Sequence, residues 1–225
     1  MTIEIELKYL LSSPDIDNSY VADKITAMLT ARNIDFQYSE QHLANDYFDT
    51  EKLDLRQMDI GLRIRAQGDK YEQTIKTAGK VIAGVHQRLE YNVDIKSDGL
   101  DLTLFPDHIW SENINILALQ QKLQVIFSTH FTRQAWLISQ NDNVVELALD
   151  HGTISMGSME SSTGSGTVSS NQPLIIHELE IELVKGDQQA LFELAEQLKT
   201  ILVIEPSDLS KAARGYALRR ESICE

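Results

Sequence analysis

The sequence predicts one α+β domain built on an antiparallel sheet of about eight strands with a few helices. Two observations predict it. Long stretches alternate apolar and polar residues with period two, and short turn signals join most of these stretches. Between them lie a few segments whose apolar residues recur at helical spacing.

The first strand is MTIEIELKYLL, with Ile3, Ile5, Leu7 and Tyr9 on one face and Glu4, Glu6 and Lys8 on the other. Ser13-Pro14 reads as an N-cap and first helical position, and Val21, Ile25, Met28 and Leu29 continue that helix to about Arg32. From Asp35 to Tyr91 the pattern is strand-like, with a hairpin across Gln67-Gly68-Asp69 and a further turn around Gly79. Ile116, Leu119, Leu123 and Ile126 predict a helix over Asn113–Phe127. Strands resume in HFTRQAWLI and NVVELALD around a turn at Asn141-Asp142-Asn143, and LIIHELEIELVKG is the most strand-like run. The serine- and glycine-rich stretch 155–173 is too polar to pack and reads as a mobile hairpin connection within the domain. Gly186-Asp187 starts a helix with the stripe Leu191, Leu194, Leu198 and Leu202, and Ser207 caps a last one. A single domain over residues 1–220 is expected, followed by a tail at 221–225.

Composition narrows the function classes. The 225-residue chain carries a formal net charge of −14, which argues against nucleic-acid binding through a broad basic surface. No apolar run reaches the ~20 residues that span a bilayer, so no membrane association is expected. The single cysteine, Cys224, allows no intrachain disulfide and is consistent with the cytoplasm. The histidines lack ligand-like spacing, AGKVIAG lacks the order of a P-loop, and Trp110 and Trp136 read as packing residues.

The strand faces carry the chemistry. Parity groups Glu4, Glu6 and Lys8; Arg63 and Arg65; Lys76; Arg88 and Glu90; Glu146 and Asp150; and Glu178, Glu180 and Glu182. Any one strand could simply present a wet face. Like-charged blocks on several strands call instead for neutralisation, and Mg²⁺ or Mn²⁺ with oxygen ligands provides it. Arg63, Arg65, Lys76 and Lys8 form a complementary cationic wall suited to phosphate oxygens. If the sheet closes, such faces line a polar lumen and leave the apolar faces for covering helices.

The ordered set of ExExK at the N-terminus, LRIR, a lysine on the next strand, a late ExExE strand and SKAARG resembles the CYTH superfamily, the triphosphate tunnel metalloenzymes, from Glu4 to about Tyr216. GLRIR, GVHQRLEYN and LSKAARGY are similar to its bacterial inorganic triphosphatase branch. The resemblance implies an eight-stranded antiparallel barrel, a tunnel with a charged interior and outer helices. It implies metal-dependent hydrolysis of tripolyphosphate, with two ions during turnover. Glu4, Glu6, Asp150, Glu178 and Glu180 match the metal-binding, catalytic carboxylates, with Glu146 and Glu182 in support. Lys8, Arg63, Arg65, Lys76, Arg133, Lys211 and Arg214 match phosphate-holding residues, and Glu90 matches a carboxylate that orients arginines. Lys185 has the opposite parity and is expected outside.

Three other functions fit the same residues: a class IV adenylate cyclase, a thiamine triphosphatase, and a polyphosphate- or nucleotide-binding module without turnover. The stretch 155–173 is longer than the family pattern implies. Members of this branch often continue into a histidine-rich helical domain, so a chain ending at Glu225 is either a short form or an excised domain. The resemblance says nothing about oligomeric state.

Overall fold

The computed structural model describes residues 1–11, 17–157 and 172–223. Eight long strands are β1 (Thr2–Leu11), β2 (Asp35–Asp49), β3 (Gly61–Gln67), β4 (Lys70–Ile82), β5 (Val85–Ile95), β6 (Gln124–Gln140), β7 (Asn143–Ser155) and β8 (Leu174–Lys185). A short β9 (Ile204–Pro206) lies outside them. The helices are α1 (Asn18–Ala31), α2 (Asp54–Gln57), α3 (Ile116–Gln120), α4 (Gln189–Lys199) and α5 (Lys211–Ile223). Strand order is β5-β4-β3-β2-β6-β7-β8-β1-β9, and β5 also pairs with β1. That pairing closes an eight-stranded antiparallel barrel, as expected from the resemblance.

Closure explains the parity of the strands, because one face must point into the barrel and the other out. Outward Leu7, Tyr9, Trp136, Leu147, Leu179 and Ile181 pack beneath Val21, Ile25 and Leu29 of α1 and Leu191, Leu194 and Leu198 of α4. A second outer core joins Leu62, Ile75 and Tyr91 to Leu102, Phe105, Trp110 and Leu119 of the β5–β6 connection. A third cluster is internal. Leu43, Tyr47, Phe127, Phe131, Ile154 and Ile176 share parity with lumen residues and pack against Tyr216 and Leu218 of α5. The interior is therefore charged over part of its length and apolar where α5 covers it.

Several boundaries depart from expectation. The segment read as a helix over 113–127 is helical only at α3, because Gln124 onward pairs with β2 and Val125 to Phe127 join the barrel wall. Gly79 is not a turn: β4 runs on to Ile82 through a register shift between Lys76 and Gly79, and the hairpin turns at Ala83-Gly84, both with positive φ. A side chain at Gly79 would meet Gln87 O at 2.7 Å and Arg88 Cβ at 2.8 Å, so close strand approach is what requires the glycine. Asp17, whose side chain accepts from Ser19 N at 2.9 Å, caps α1; Ser13 and Pro14 lie outside the described residues. Ser210, not Ser207, accepts from Ala213 N (3.1 Å) at the start of α5. That helix continues to Ile223, into the expected tail. The turn at Asn141-Asp142 has two positive φ values, as a two-residue hairpin of the primed type needs. The strands flanking the polar stretch pair as a hairpin, while residues 158–171 of that stretch, and Cys224, lie outside the described residues.

Candidate active site

Cross-strand register brings the charged residues together. Inside the barrel Lys8 lies opposite Glu180, Glu6 opposite Glu182, Glu4 opposite Arg88, Lys76 opposite Glu90, and Asp150 opposite both Arg133 and Glu178. A cavity of ≈ 410 Å³ is lined by Glu4, Lys8, Arg63, Arg65, Lys76, Arg88, Glu90, Arg133, Glu180, Glu182 and Lys211. Glu6, Asp150 and Glu178 are more deeply seated and do not line it, and each is all but sealed from solvent.

Two ion-pair groups meet at Lys8. In the first, Lys76 Nζ lies 2.6 Å from Glu4 Oε1 and 2.9 Å from Glu90 Oε2, and Arg88 donates to Glu4 and approaches Glu6 Oε1 at 3.4 Å. In the second, Lys211 Nζ sits 2.6 Å from Asp150 Oδ2, 2.5 Å from Glu178 Oε1 and 3.1 Å from Glu180 Oε1. Arg133 forks onto Asp150 with bonds of 2.8 and 2.7 Å and also holds Glu180. Lys8 Nζ joins the groups, 2.8 Å from Glu6 Oε2 and 2.5 Å from Glu180 Oε1. Arg214 pairs with Glu178 at 2.9 Å, and Glu146 reaches Arg133 at 3.6 Å. Arg63 lies 3.9 Å from Glu90, in keeping with an orienting carboxylate. Lys185 is exposed, as expected.

These pairs set the charge states. Burial alone would raise the carboxyls of Glu4, Asp150 and Glu180, but Lys76 and Arg88, Arg133 and Lys211, and Lys211 and Lys8 respectively outweigh it and hold all three below the usual carboxylate range. Burial opposes charge on Lys8 and Lys211 too, yet the facing carboxylates raise both. Glu182 shows the reverse. Burial, with Glu4 and Glu6 nearby, pushes it up to about 7. Arg65 falls to about 10 through burial and the neighbouring guanidiniums Arg63 and Arg133. Its nearest partner is neutral, since Nε donates to Asn45 Oδ1 at 2.9 Å and Asn45 is itself tied to Thr129 at 2.8 Å. Arg65, which makes no close carboxylate pair among the described residues, is suited to an incoming anion.

The chain also fits a hard cation. Oxygens of Asp150, Glu178 and Glu180 lie within 4.8 Å of one another, and all-oxygen donors of this kind suit Mg²⁺ or Mn²⁺. Glu4 and Glu6 fall outside that cluster; Lys8 bridges Glu6 to Glu180, and Arg88 in turn bridges Glu4 to Glu6. The parity reading grouped Arg88 with Glu90 but gave it no role, although it contacts both carboxylates of β1. Asn45 and Tyr47 were missed, since neither residue type signals a lumen position by charge. Tyr47 lies opposite Arg63, and Arg63, Lys76 and Lys211 lower its phenol despite burial.

A closed antiparallel barrel enclosing interleaved acids and cations defines a class of protein, and the CYTH domain pattern matches residues 2–216. The chain belongs to the CYTH domain family. It is 34% identical over 223 residues to an inorganic triphosphatase of Haemophilus influenzae, covering 97% of this chain and 55% of the relative. The chain thus spans about half the length of that curated relative. Among solved structures it resembles HpAC1 of Hippeastrum, a candidate adenylyl cyclase described as revealing a dominant triphosphatase activity, at a TM-score of 0.63 and 21% identity (97% of this chain, 95% of that one). It also resembles PH1819 of Pyrococcus horikoshii at a TM-score of 0.56 and 16% identity (95% and 98%). The last two likenesses concern the fold alone.

Proposed function

We propose that the domain hydrolyses inorganic triphosphate to diphosphate and phosphate with Mg²⁺ or Mn²⁺, two ions during turnover. The observation that carries this reading is a three-carboxylate cluster, held by ion pairs with Lys8, Arg133 and Lys211, whose Glu180 opens onto a cavity lined by lysines and arginines. The 34% identity to an inorganic triphosphatase supports the choice of substrate.

Asp150, Glu178 and Glu180, with Glu4 and Glu6, would hold the metal; Glu146 and Glu182 would support them. Bound there, a divalent cation supplies Lewis acidity toward phosphate oxygens and toward water. Lys8, Arg63, Arg65, Lys76, Arg133, Lys211 and Arg214 hold the substrate's oxygens and stabilise charge that develops on the leaving diphosphate. Glu90 keeps Lys76 and Arg63 aimed inward. In the reaction the water oxygen bonds to a terminal phosphorus, the bridging P–O bond breaks, and a proton is released. By holding the phosphate oxygens from several strands at once, these lysines and arginines would align the reacting phosphorus with the attacking water, which is where positioning contributes most. No helix among the described residues is long and apolar enough to cross a membrane. A lone cysteine, which can form no intrachain disulfide, is consistent with the cytoplasm, the compartment proposed here.

Product analysis tests the proposal. Tripolyphosphate, ATP and thiamine triphosphate are each incubated with Mg²⁺, with Mn²⁺ and with chelator. Metal-dependent phosphate release, fastest from tripolyphosphate, is expected. Cyclic AMP from ATP would make the domain a cyclase, and tight binding without turnover would make it a phosphate-binding module.

A further inference from the structure

Arg88 stands apart from the other lumen cations. Its guanidinium spans Glu4 and Glu6 and makes no other ion pair among the described residues, whereas Lys76 is also anchored by Glu90. With a side chain 23% exposed, it is the least covered of the cations paired to lumen carboxylates; Lys8 is 5% and Lys211 9% exposed. It also faces the cavity, while Glu6 beneath it does not. Its backbone is held between two strands, opposite Glu4 of β1 on one side and Gly79 of β4 on the other. A fixed base with a lightly covered tip allows the head group to swing without moving the strand.

We propose that Arg88 is an exchange residue: it neutralises Glu4 and Glu6 in the metal-free protein and transfers to a phosphate of the substrate when a divalent cation takes those carboxylates. This inference rests on the proposed metal-holding role of Glu4 and Glu6. A guanidinium and a metal ion compete for the same carboxylate oxygens, so each must weaken the other. An anion that offers Arg88 a new partner relieves the competition, and by linkage metal and anion then bind with positive coupling. Arg88 therefore positions two ligands in turn and contributes specificity for substrates that arrive with their metal.

The test is calorimetric titration of Mn²⁺ into metal-free protein, with and without sulfate as a weakly chelating tetrahedral anion. Sulfate is expected to tighten Mn²⁺ binding to the wild type. Arg88→Gln is expected to bind Mn²⁺ more tightly than wild type in sulfate-free buffer, by about tenfold, within the usual range of coupling between sites. The sulfate effect should shrink in that variant and its affinity for tripolyphosphate should fall. Arg88→Lys keeps the charge but cannot fork across two carboxylates, so a smaller gain is expected; it serves if Arg88→Gln does not fold. A purely structural role predicts weaker Mn²⁺ binding, so any folded variant with unchanged or reduced Mn²⁺ affinity overturns the inference. Wild type that binds no Mn²⁺ with or without sulfate overturns the metal-site reading beneath it.

Discussion

At the scale of single residues, the lumen charges are a system of mutual compensation. Asp150 is fully buried, and a fork from Arg133 with a contact from Lys211 outweighs the cost of its charge. Removing one partner of such a pair leaves an uncompensated buried charge and costs about 3–5 kcal/mol. Arg133→Ala is accordingly expected to destabilise the metal-free protein by that order, and denaturant midpoints with and without Mg²⁺ check it. Glu6→Ala and Glu180→Ala are expected to abolish turnover while circular dichroism stays native; wild-type rates in either would refute the metal-site assignment. Arg65→Ala is expected to weaken tripolyphosphate binding by about 1.5–3 kcal/mol, the range for a hydrogen bond to a charged group. Calorimetry decides that, and unchanged affinity would mean that the cationic corner serves another purpose. The parity of alternate residues made the strand-borne charges legible, because Glu4, Glu6 and Lys8 cannot change face without taking the whole strand with them. Arg133 is the exception, which only the resemblance pointed to. Lys211 and Arg214 sit on a helix, where period two carries no information, and only the resemblance pointed to them.

At the scale of elements, α5 does two jobs. It covers the apolar end of the barrel and delivers Lys211 and Arg214 to the carboxylates. The contact depends on Gly215, where a Cβ would run into the Phe127 ring. Phe127 stacks on Tyr47 with centroids 4.5 Å apart, so pressure on this ring reaches the lumen. Gly215→Ala is expected to cost about 1–3 kcal/mol, as overpacking does, and to weaken substrate binding by displacing Lys211. Thermal melts and tripolyphosphate titrations read the two effects. Loss of stability with unchanged affinity would separate the helix from the site. The misread helix over 113–127 has a physical origin at this scale. Leu119 and Leu123 do pack at helical spacing against an outer core, but Ile126 belongs to β6, whose pairing with β2 and β7 overrides the local pattern. Gly79 was ambiguous for a similar reason, since a glycine marks a close approach as readily as a turn.

At the scale of the molecule, a net charge of −14 and an anionic substrate are compatible because charge is sorted by location. Among the residues that line the cavity, nine lysines and arginines outnumber six acids, whereas over the whole chain acids outnumber basic residues 34 to 20, and low exposure strengthens the field of those nine. Barrel closure is the step that turns separate amphipathic strands into a chamber, and the pairing of β5 with β1 was not readable from either strand. Alternation gave about eight strands, the charged faces showed what closure would enclose, and only the resemblance to the family implied that the sheet closes. The proposed activity requires that this chamber break a phosphoanhydride bond only when a divalent metal is held by its carboxylates. Phosphorus NMR of tripolyphosphate with the wild-type protein tests that most directly, followed in Mg²⁺ and again after excess chelator. Diphosphate and phosphate in equal amounts are expected in Mg²⁺, and an unchanged spectrum with chelator; the proposed metal-dependent hydrolysis stands or falls on that difference. Equal rates of consumption in the two samples would contradict it.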